Sequence, residues 1–450
     1  GLYAQIKLDE GTNLGAARIR IRSLIATMRE KQDKTCCVLE QSKEGPPPFT
    51  EAMRETHTLL IPQMSPIHFE FAEAIFEGSG YKAALLPNVD REAIDLGLRY
   101  VNNDACFPAI VVIGQLLQAV QSGKWDTHKI ALVISQTGGG CRATNYASLL
   151  RKAMVDAGLG HIPILSFATG IQGPGIRMTR AMLFRMIMAG HYGDALSRMI
   201  NRVRPYELES GSVERLTKKW IEKARENVRT GNVLAFEWNI FSMIRDFDRL
   251  PLREEPRRQR VGIVGEILLK YHPDANNHAV EVIEAEGGEV VSTDVMDFAM
   301  YCLYDDVFNY RHLAGPKRDA RMAMLGIAFL ETTRLGMRLA FASSKRFFAP
   351  TSFGSLRKKT RNLISLGQQS GEGWLLGAEM VRMLESGVHN ILCVQPFGCL
   401  PNHVVAKGLM RELKRRYPSA NFIALDYDPG ASEVNQINRI KLMMRSGQLR

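Results

Sequence analysis

The stretch KIALVISQTGGGC, Lys129–Cys141, decides how the rest of the chain reads. Its first part, KIALVIS, is a short apolar run, the pattern of a strand buried on both faces of a parallel sheet. Three glycines and a cysteine follow, and then ASLLRKAMVDAG, residues 147–158, has helical spacing. Strand, glycine loop and helix make the first half of a βαβ unit, and doubly wound sheets place their ligands at the carboxyl ends of the strands. The loop lacks the Lys-Ser/Thr ending of a Walker motif, which argues against a triphosphate cradle of that kind. A metal held through Cys141 and a plain corner both stay open as readings of the loop.

The same grammar continues on both sides. HTLLIPQ (57–63), KAALLP (82–87) and HIPILSF (161–167) read as further strands, with FEFAEAIFEGSG (69–80) as a helix between them. From Arg260 the pattern returns, with RVGIVGEI (260–267), EVVS (289–292), NILCV (390–394) and NFIALD (421–426) as strands. HAVEVIEAEGG (278–288) and VVAKGLMRELKRR (404–416) are helices of this second half. Strands alternating with helices predict parallel sheets. The expected fold is α/β, with two similar flavodoxin- or Rossmann-like parallel-sheet domains, helical insertions, and a site in the cleft between the domains. The expected division is an N-terminal helical or extended arm over 1–56, a first α/β domain over 57–176, and a helical region with its linker over 177–258. A second α/β domain follows over 259–450, carrying a helical insertion at about 299–365.

Composition sets the outer limits. With 450 residues, 45% hydrophobic and 23% charged, the chain is an ordinary globular protein long enough for several domains. The most apolar segment, AIVVIGQLLQAV (109–120), is shorter than the roughly 18 residues a bilayer requires, so no membrane association is expected. A start at Gly1 rather than Met is expected of a piece of a longer polypeptide. The net charge of +11 comes partly from RIRIR (18–22), RRQR (257–260) and LKRRY (413–417). No helix-turn-helix, zinc-finger or RNP signature accompanies these clusters, so nucleic acid is not expected as a partner. Seven scattered cysteines do not form a disulfide framework, and a reducing cytoplasm is the expected compartment.

Three of those cysteines share a context. Cys106 in NNDACFP and Cys399 in PFGCLP each stand two residues ahead of a proline suited to a first helical turn, Pro108 and Pro401. Cys141 precedes Thr144 and Asn145, both good helix caps. A helix N-terminus is expected to lower a thiol's pKa, and thiolates bind soft metals and iron–sulfur clusters. The alternative at each position is a small buried hydrophobe, and with no CxxC pair the spacing alone does not decide. Cys393, inside a strand, and Cys302, on a helical pattern, read as core. Of the adjacent Cys36 and Cys37, Cys37 is the candidate fourth ligand.

Around them stand further candidates. Gly138, Gly139, Gly140 and Gly398 give the backbone room beside a ligand, as do Gly371 and Gly373 in SLGQQSGEGW (365–374), while Arg142 faces an anion or solvent. Glu266 and His403 are candidates for proton transfer, with structural roles as the competing reading, and His278 lies near the same cleft. Asp426 and Asp428 belong to a strand end and an Asp-Pro-Gly turn, with Ser432 capping the last helix.

Taken together, NNDACFPAIVVIGQL (102–116), ISQTGGGCRATNY (134–146), VGIVGEILLKYHPDANNH (261–278), GEGWLLGAEM (371–380), QPFGCLPNHVVAKG (395–408) and DYDPGASEVNQINRIKLM (426–443) resemble the 2-hydroxyacyl-CoA dehydratase superfamily. The resemblance runs from about Thr35 to Met444 and is nearest to large activase-related proteins (CoA-substrate-specific enzyme activases), in which ATPase modules precede a dehydratase-like portion. It implies a cytoplasmic, oxygen-sensitive 4Fe-4S protein of anaerobic metabolism. Members receive one low-potential electron from an ATP-dependent activase, reduce a 2-hydroxyacyl-CoA to a ketyl radical, expel its hydroxyl and recycle the electron. By motif the implied ligands are Cys106, Cys141 and Cys399. This chain carries no actin-like ATPase motif, so it would receive electrons rather than pump them. A sister branch with a double-cubane cluster needs more thiolates than these three. A non-catalytic electron relay or scaffold, a double-cubane-type reductase component, and a structural zinc site completed by Cys37 or His403 are the competing readings. A homodimer, or membership of a larger polypeptide, suits a family built from paired domains.

Overall fold

The computed structural model describes residues 47–448, apart from 103–104, 137–139, 168–175 and 177, together with residues 18, 21, 22, 24, 25 and 28. The chain divides into two compact units, Gly1–Pro46 and Pro47–Arg450. In the first, the described residues are helical. The candidate ligand Cys37 lies outside the described residues, as does Cys36.

The second unit is α/β and contains two four-stranded, all-parallel sheets. The first holds β1 (Thr58–Ile61), β2 (Lys82–Leu85), β3 (Ile130–Ser135) and β4 (Ile164–Phe167) in the order β2-β1-β3-β4. The second holds β5 (Gln259–Gly265), β6 (Gly288–Val291), β7 (Asn390–Pro396) and β8 (Asn421–Tyr427) in the matching order β6-β5-β7-β8. All eight strands fall on the apolar runs that predict them. The order reverses between β1 and β3, and again between β5 and β7, so each sheet has a switch point where side chains from two loops meet.

Crossover helices cover the strands: α1 (Ala72–Glu77), α2 (Arg91–Tyr100), α3 (Phe107–Gln121) and α4 (Tyr146–Asp156) serve the first sheet. The run AIVVIGQLLQAV lies within α3, whose residues from Pro108 to Leu117 are all buried. One apolar cluster joins Leu60 and Leu132 of the first sheet to Val261 and Leu392 of the second, so the two sheets share a core. Phe49 is buried beside Ile61 and Val133, which places residues 47–56 with the first sheet rather than with a separate arm.

The intervening segment forms α5 (Arg180–Val203), α6 (Ser212–Thr230) and α7 (Val233–Asp248), with a core built around Tyr192, Trp220 and Phe236. The second sheet is served by α8 (Ile267–Tyr271) and α9 (Ala279–Ala285), and its insertion begins with α10 (Val295–His312). There follow α11 (Lys317–Thr333), α12 (Leu335–Ala342), α13 (Phe353–Thr360), α14 (Gly373–Glu385), α15 (Gly408–Arg416) and α16 (Glu433–Gln448). Buried charges tie the layers together. Asp194 on α5 accepts the Val295 and Met296 N–H groups at the start of α10 and meets His68 Nε2 at 3.0 Å. Arg334, fully buried, is paired with Asp294 and Asp297.

Candidate functional site

The three thiols each occupy the residue just ahead of a helical turn. Cys106, with extended backbone (φ −173°, ψ 134°), is the N-cap of α3, and Pro108 sits in the first turn as expected. Cys141 (φ −119°, ψ 148°) caps a 3-10 turn, Arg142–Asn145, that runs into α4. The expected caps Thr144 and Asn145 are thus inside the first turn. Asn145 lacks the extended φ/ψ of a side-chain cap, and the Ala147 N–H donates to Gln136 Oε1 instead, at 3.2 Å. Cys399 follows β7 through a turn at Phe397 and Gly398 (φ +70°), its N–H donating to Pro396 O at 3.1 Å. Beyond it lies a π-helical turn, Asn402–Lys407, a departure from α geometry that recurs at functional sites.

These loops touch one another. Arg142 Nη1 donates to the Ala105 carbonyl at 2.8 Å, so the side chain expected to face an anion or solvent ties the Cys141 loop to the Cys106 loop. The loop at 365–374 wedges in from the second half of the chain. A Cβ on Gly371 (φ +56°) would stand 2.7 Å from Pro401 Cγ and 3.8 Å from Cys141 Sγ, so only glycine brings the backbone this close to both cysteine loops. Gly373 (φ +43°) is equally confined, 1.9 Å from the Gln368 carbonyl to a built Cβ, and Gly140 abuts Ser370 Oγ. Gly138 and Gly139 lie outside the described residues.

Two carboxylates close the site. Glu266, at the carboxyl end of β5, accepts the Leu269 N–H at 2.9 Å, and Glu372 accepts the Ile267 N–H at 2.8 Å. Burial, and then the neighbouring Glu372, push Glu266 up to about 8, and burial raises Glu372 as well. Burial pushes the Cys106 thiol up to about 12, with Glu266 and Cys141 adding to the rise and the Tyr146 hydroxyl, 3.4 Å away, opposing it. Cys399 is raised by burial, then by Glu372, while Asn402 Nδ2 donates to its sulfur at 3.2 Å. Tyr146 is raised in turn by burial and by Cys106, with Glu266 contributing.

The expected lowering of the thiols by helix N-termini is therefore reversed at Cys106 and Cys399. A helix terminus contributes about 0.3–1 kcal/mol. The rise at Cys106 from 9.0 to about 12 corresponds to about 4 kcal/mol, so burial among acidic neighbours wins.

Five acidic groups from both halves of the chain thus crowd together: three thiols and two carboxyls. The ammonium that favours ionisation of both carboxyls, Lys270, is itself bound to Glu379. Such a donor set fits a cationic, thiophilic centre. Among the described residues no three His, Cys, Asp or Glu side chains gather as one metal ion requires. Tetrahedral zinc, with sulfur bonds of about 2.3 Å, would draw its thiolates to within about 4 Å of each other.

His403, whose N–H donates to the Cys399 carbonyl at 3.0 Å, is partly exposed and near Asp426 (3.7 Å) and Gln395 (3.5 Å). Asp426 accepts from Gln395 and Asp428 from the Gly430 N–H, as a strand end and turn require, and the Asn435 N–H donates to Ser432. His278 is mostly exposed near Asp274 and Glu281. Cys393 is fully buried in β7, and Cys302 packs beside Asp305 on α10. Sequence reasoning singled out the glycines of GEGW and passed over Glu372 between them, along with Tyr146 and Asn402. A lone acid flanked by two glycines ahead of an apolar helix was the available signal. No family model matches the chain, and a search of curated proteins finds no match.

Proposed function

We propose that this chain is an iron–sulfur redox protein of the 2-hydroxyacyl-CoA dehydratase kind, its two sheets forming flavodoxin- or Rossmann-like domains with the cluster in the cleft between them. Cys106, Cys141 and Cys399 would hold a 4Fe-4S cluster, which supplies and recovers a single low-potential electron when bound. The electron would come from an ATP-dependent activase, and the substrate would be an acyl-CoA-like molecule. The observation that carries this reading is the approach of Gly371 to Cys141 and to Pro401 of the Cys399 loop, with Arg142 tying the Cys141 loop to the Cys106 loop.

The chain's own groups suit a dehydration. Glu266, pushed up to about 8, holds its proton near neutral pH and is the acid for a departing hydroxyl. Glu372, anchored by the Ile267 N–H, adds to the rise that burial gives Glu266. Tyr146 positions Cys106.

Anaerobic purification followed by iron and acid-labile sulfide assay tests the reading. About four irons per chain are expected, and Cys106→Ser, Cys141→Ser and Cys399→Ser should each abolish the cluster while Cys393→Ser keeps it. Zinc or no metal in the protein, or equal tolerance at all four cysteines, would sink it. Cluster spectra unchanged by any acyl-CoA thioester would favour an electron relay over an enzyme.

A further inference from the structure

Away from the thiols, a notch of about 80 Å³ opens between α5, β6 and the segment around Arg346, lined by Arg198, Arg202, Arg257, Glu289, Arg346 and Phe348 among others. Its charges do not cancel. Arg198 is matched bidentately by Asp294, at 2.7 Å for both bonds. Glu289, 1% exposed, takes Arg257 at 3.1 and 2.6 Å, Arg202 at 3.3 Å and the Tyr206 hydroxyl at 2.7 Å. Arg346 donates to the carbonyls of Phe247 and Leu250 rather than to a carboxylate. Three guanidiniums, Arg202, Arg257 and Arg346, thus face one carboxylate, an excess of two positive charges. Burial lowers Arg346, with Asp248 opposing and Arg202 adding to the effect, as expected where cations crowd.

Two buried donors on this wall, Arg202 Nε and Ser292 Oγ, have no hydrogen-bond partner among the described residues. Leaving such groups unsatisfied is costly, and a bound oxyanion would satisfy both. The space equals that of about two to three waters, the size of one tetrahedral oxyanion. At its rim Phe348 is 72% exposed, with the Arg257 guanidinium 5.9 Å above its ring. An exposed aromatic face beside an arginine-lined notch is the pairing that recognises a phosphate joined to a flat base.

We infer that this notch binds the phosphate of a nucleotide-type ligand, with the base resting on Phe348. The carrier is either a free nucleotide or the nucleotide end of a larger cofactor. The inference does not depend on the thiol site.

Titration calorimetry of the full chain with ADP, pyrophosphate, adenosine and coenzyme A tests it. ADP should bind with an affinity that falls as salt rises, pyrophosphate should bind more weakly, and adenosine should not bind. Arg202→Gln should weaken both phosphate ligands about tenfold or more. Phe348→Ala, an exposed position that leaves the fold alone, should weaken ADP at least about fivefold and leave pyrophosphate unchanged. Tighter binding of ADP than of coenzyme A would assign the free nucleotide and the reverse the larger cofactor, and either supports the site. No binding of ADP or pyrophosphate up to about 10 mM, or ADP binding indifferent to both substitutions, would overturn it.

Discussion

Lys270→Met is the most informative perturbation of the carboxylate cluster. Lys270 Nζ lies 3.3 and 3.4 Å from the two oxygens of Glu379, with the side chains only 4% and 1% exposed. At an effective dielectric of about 20 the pair attraction is about 5 kcal/mol, and removing one partner of a buried pair typically costs about 3–5 kcal/mol. The same ammonium lowers the proton affinity of Glu372 and Glu266, so its loss reaches the site itself. Lys270→Met should therefore destabilise the protein by about 3–5 kcal/mol at pH 8 in urea unfolding, and by much less at pH 5, where the stranded carboxyls take up protons. Adding Glu379→Met should recover most of the loss, because an apolar pair can replace a buried ion pair at little cost. Recovery should fall short at pH 8 by the share that Lys270 lends to Glu266 and Glu372, and this shortfall should vanish at pH 5. A single variant costing under about 1 kcal/mol at pH 8, or a double variant no more stable than the single, would refute the reasoning.

Other substitutions test separate parts of the account. Glu266, raised from 4.5 to about 8, gives stability that is fully present below pH 4.5 and lost as pH rises through about 8, at about 1.4 kcal/mol per pH unit. Glu266→Gln should flatten that decline in urea unfolding between pH 5 and 8, and parallel curves for the two proteins would count against the shift. Gly371→Ala must adopt φ +56° and push against Pro401, at about 1–3 kcal/mol, and should lower iron content after anaerobic reconstitution more than it lowers the melting temperature. Arg334→Met strands Asp294 and Asp297 without exposure to water. Its cost should be at least about 3–5 kcal/mol, read as reduced soluble yield and an earlier urea midpoint, and wild-type behaviour would show that Arg198 and Arg382 suffice.

The strands were the most legible part of the chain because burial on both faces leaves a continuous apolar run. IALVIS and NILCV each stand out from polar flanks, and each became a central strand. The helical insertion was legible as helix but not in its start. α10 begins at Val295, where Asp194, far away in sequence, accepts its first N–H groups. The start of α4 is likewise set from a distance: Asn145 stands at its N-cap without a side-chain cap bond, and Gln136 reaches across the glycine loop to the Ala147 N–H.

At the site, the sequence marked which cysteines precede helices but mistook what that position does to them. A helix start is local, so its favourable effect on a thiolate can be read from a few residues. The opposing effect is assembled from a distance: β5 brings Glu266 next to Cys106, and the GEG loop brings Glu372 next to Cys399. Neither acid is near its thiol in sequence. The same separation explains why Glu372 was passed over. Its glycine neighbours carry a conformational signal, φ +56° and +43°, whereas its carboxyl gains meaning only once the loop is wedged between the two cysteine turns. Thiols kept protonated until a cation arrives, beside an acid that holds its proton at neutral pH, form a site whose charge balance a thiophilic cationic centre would complete.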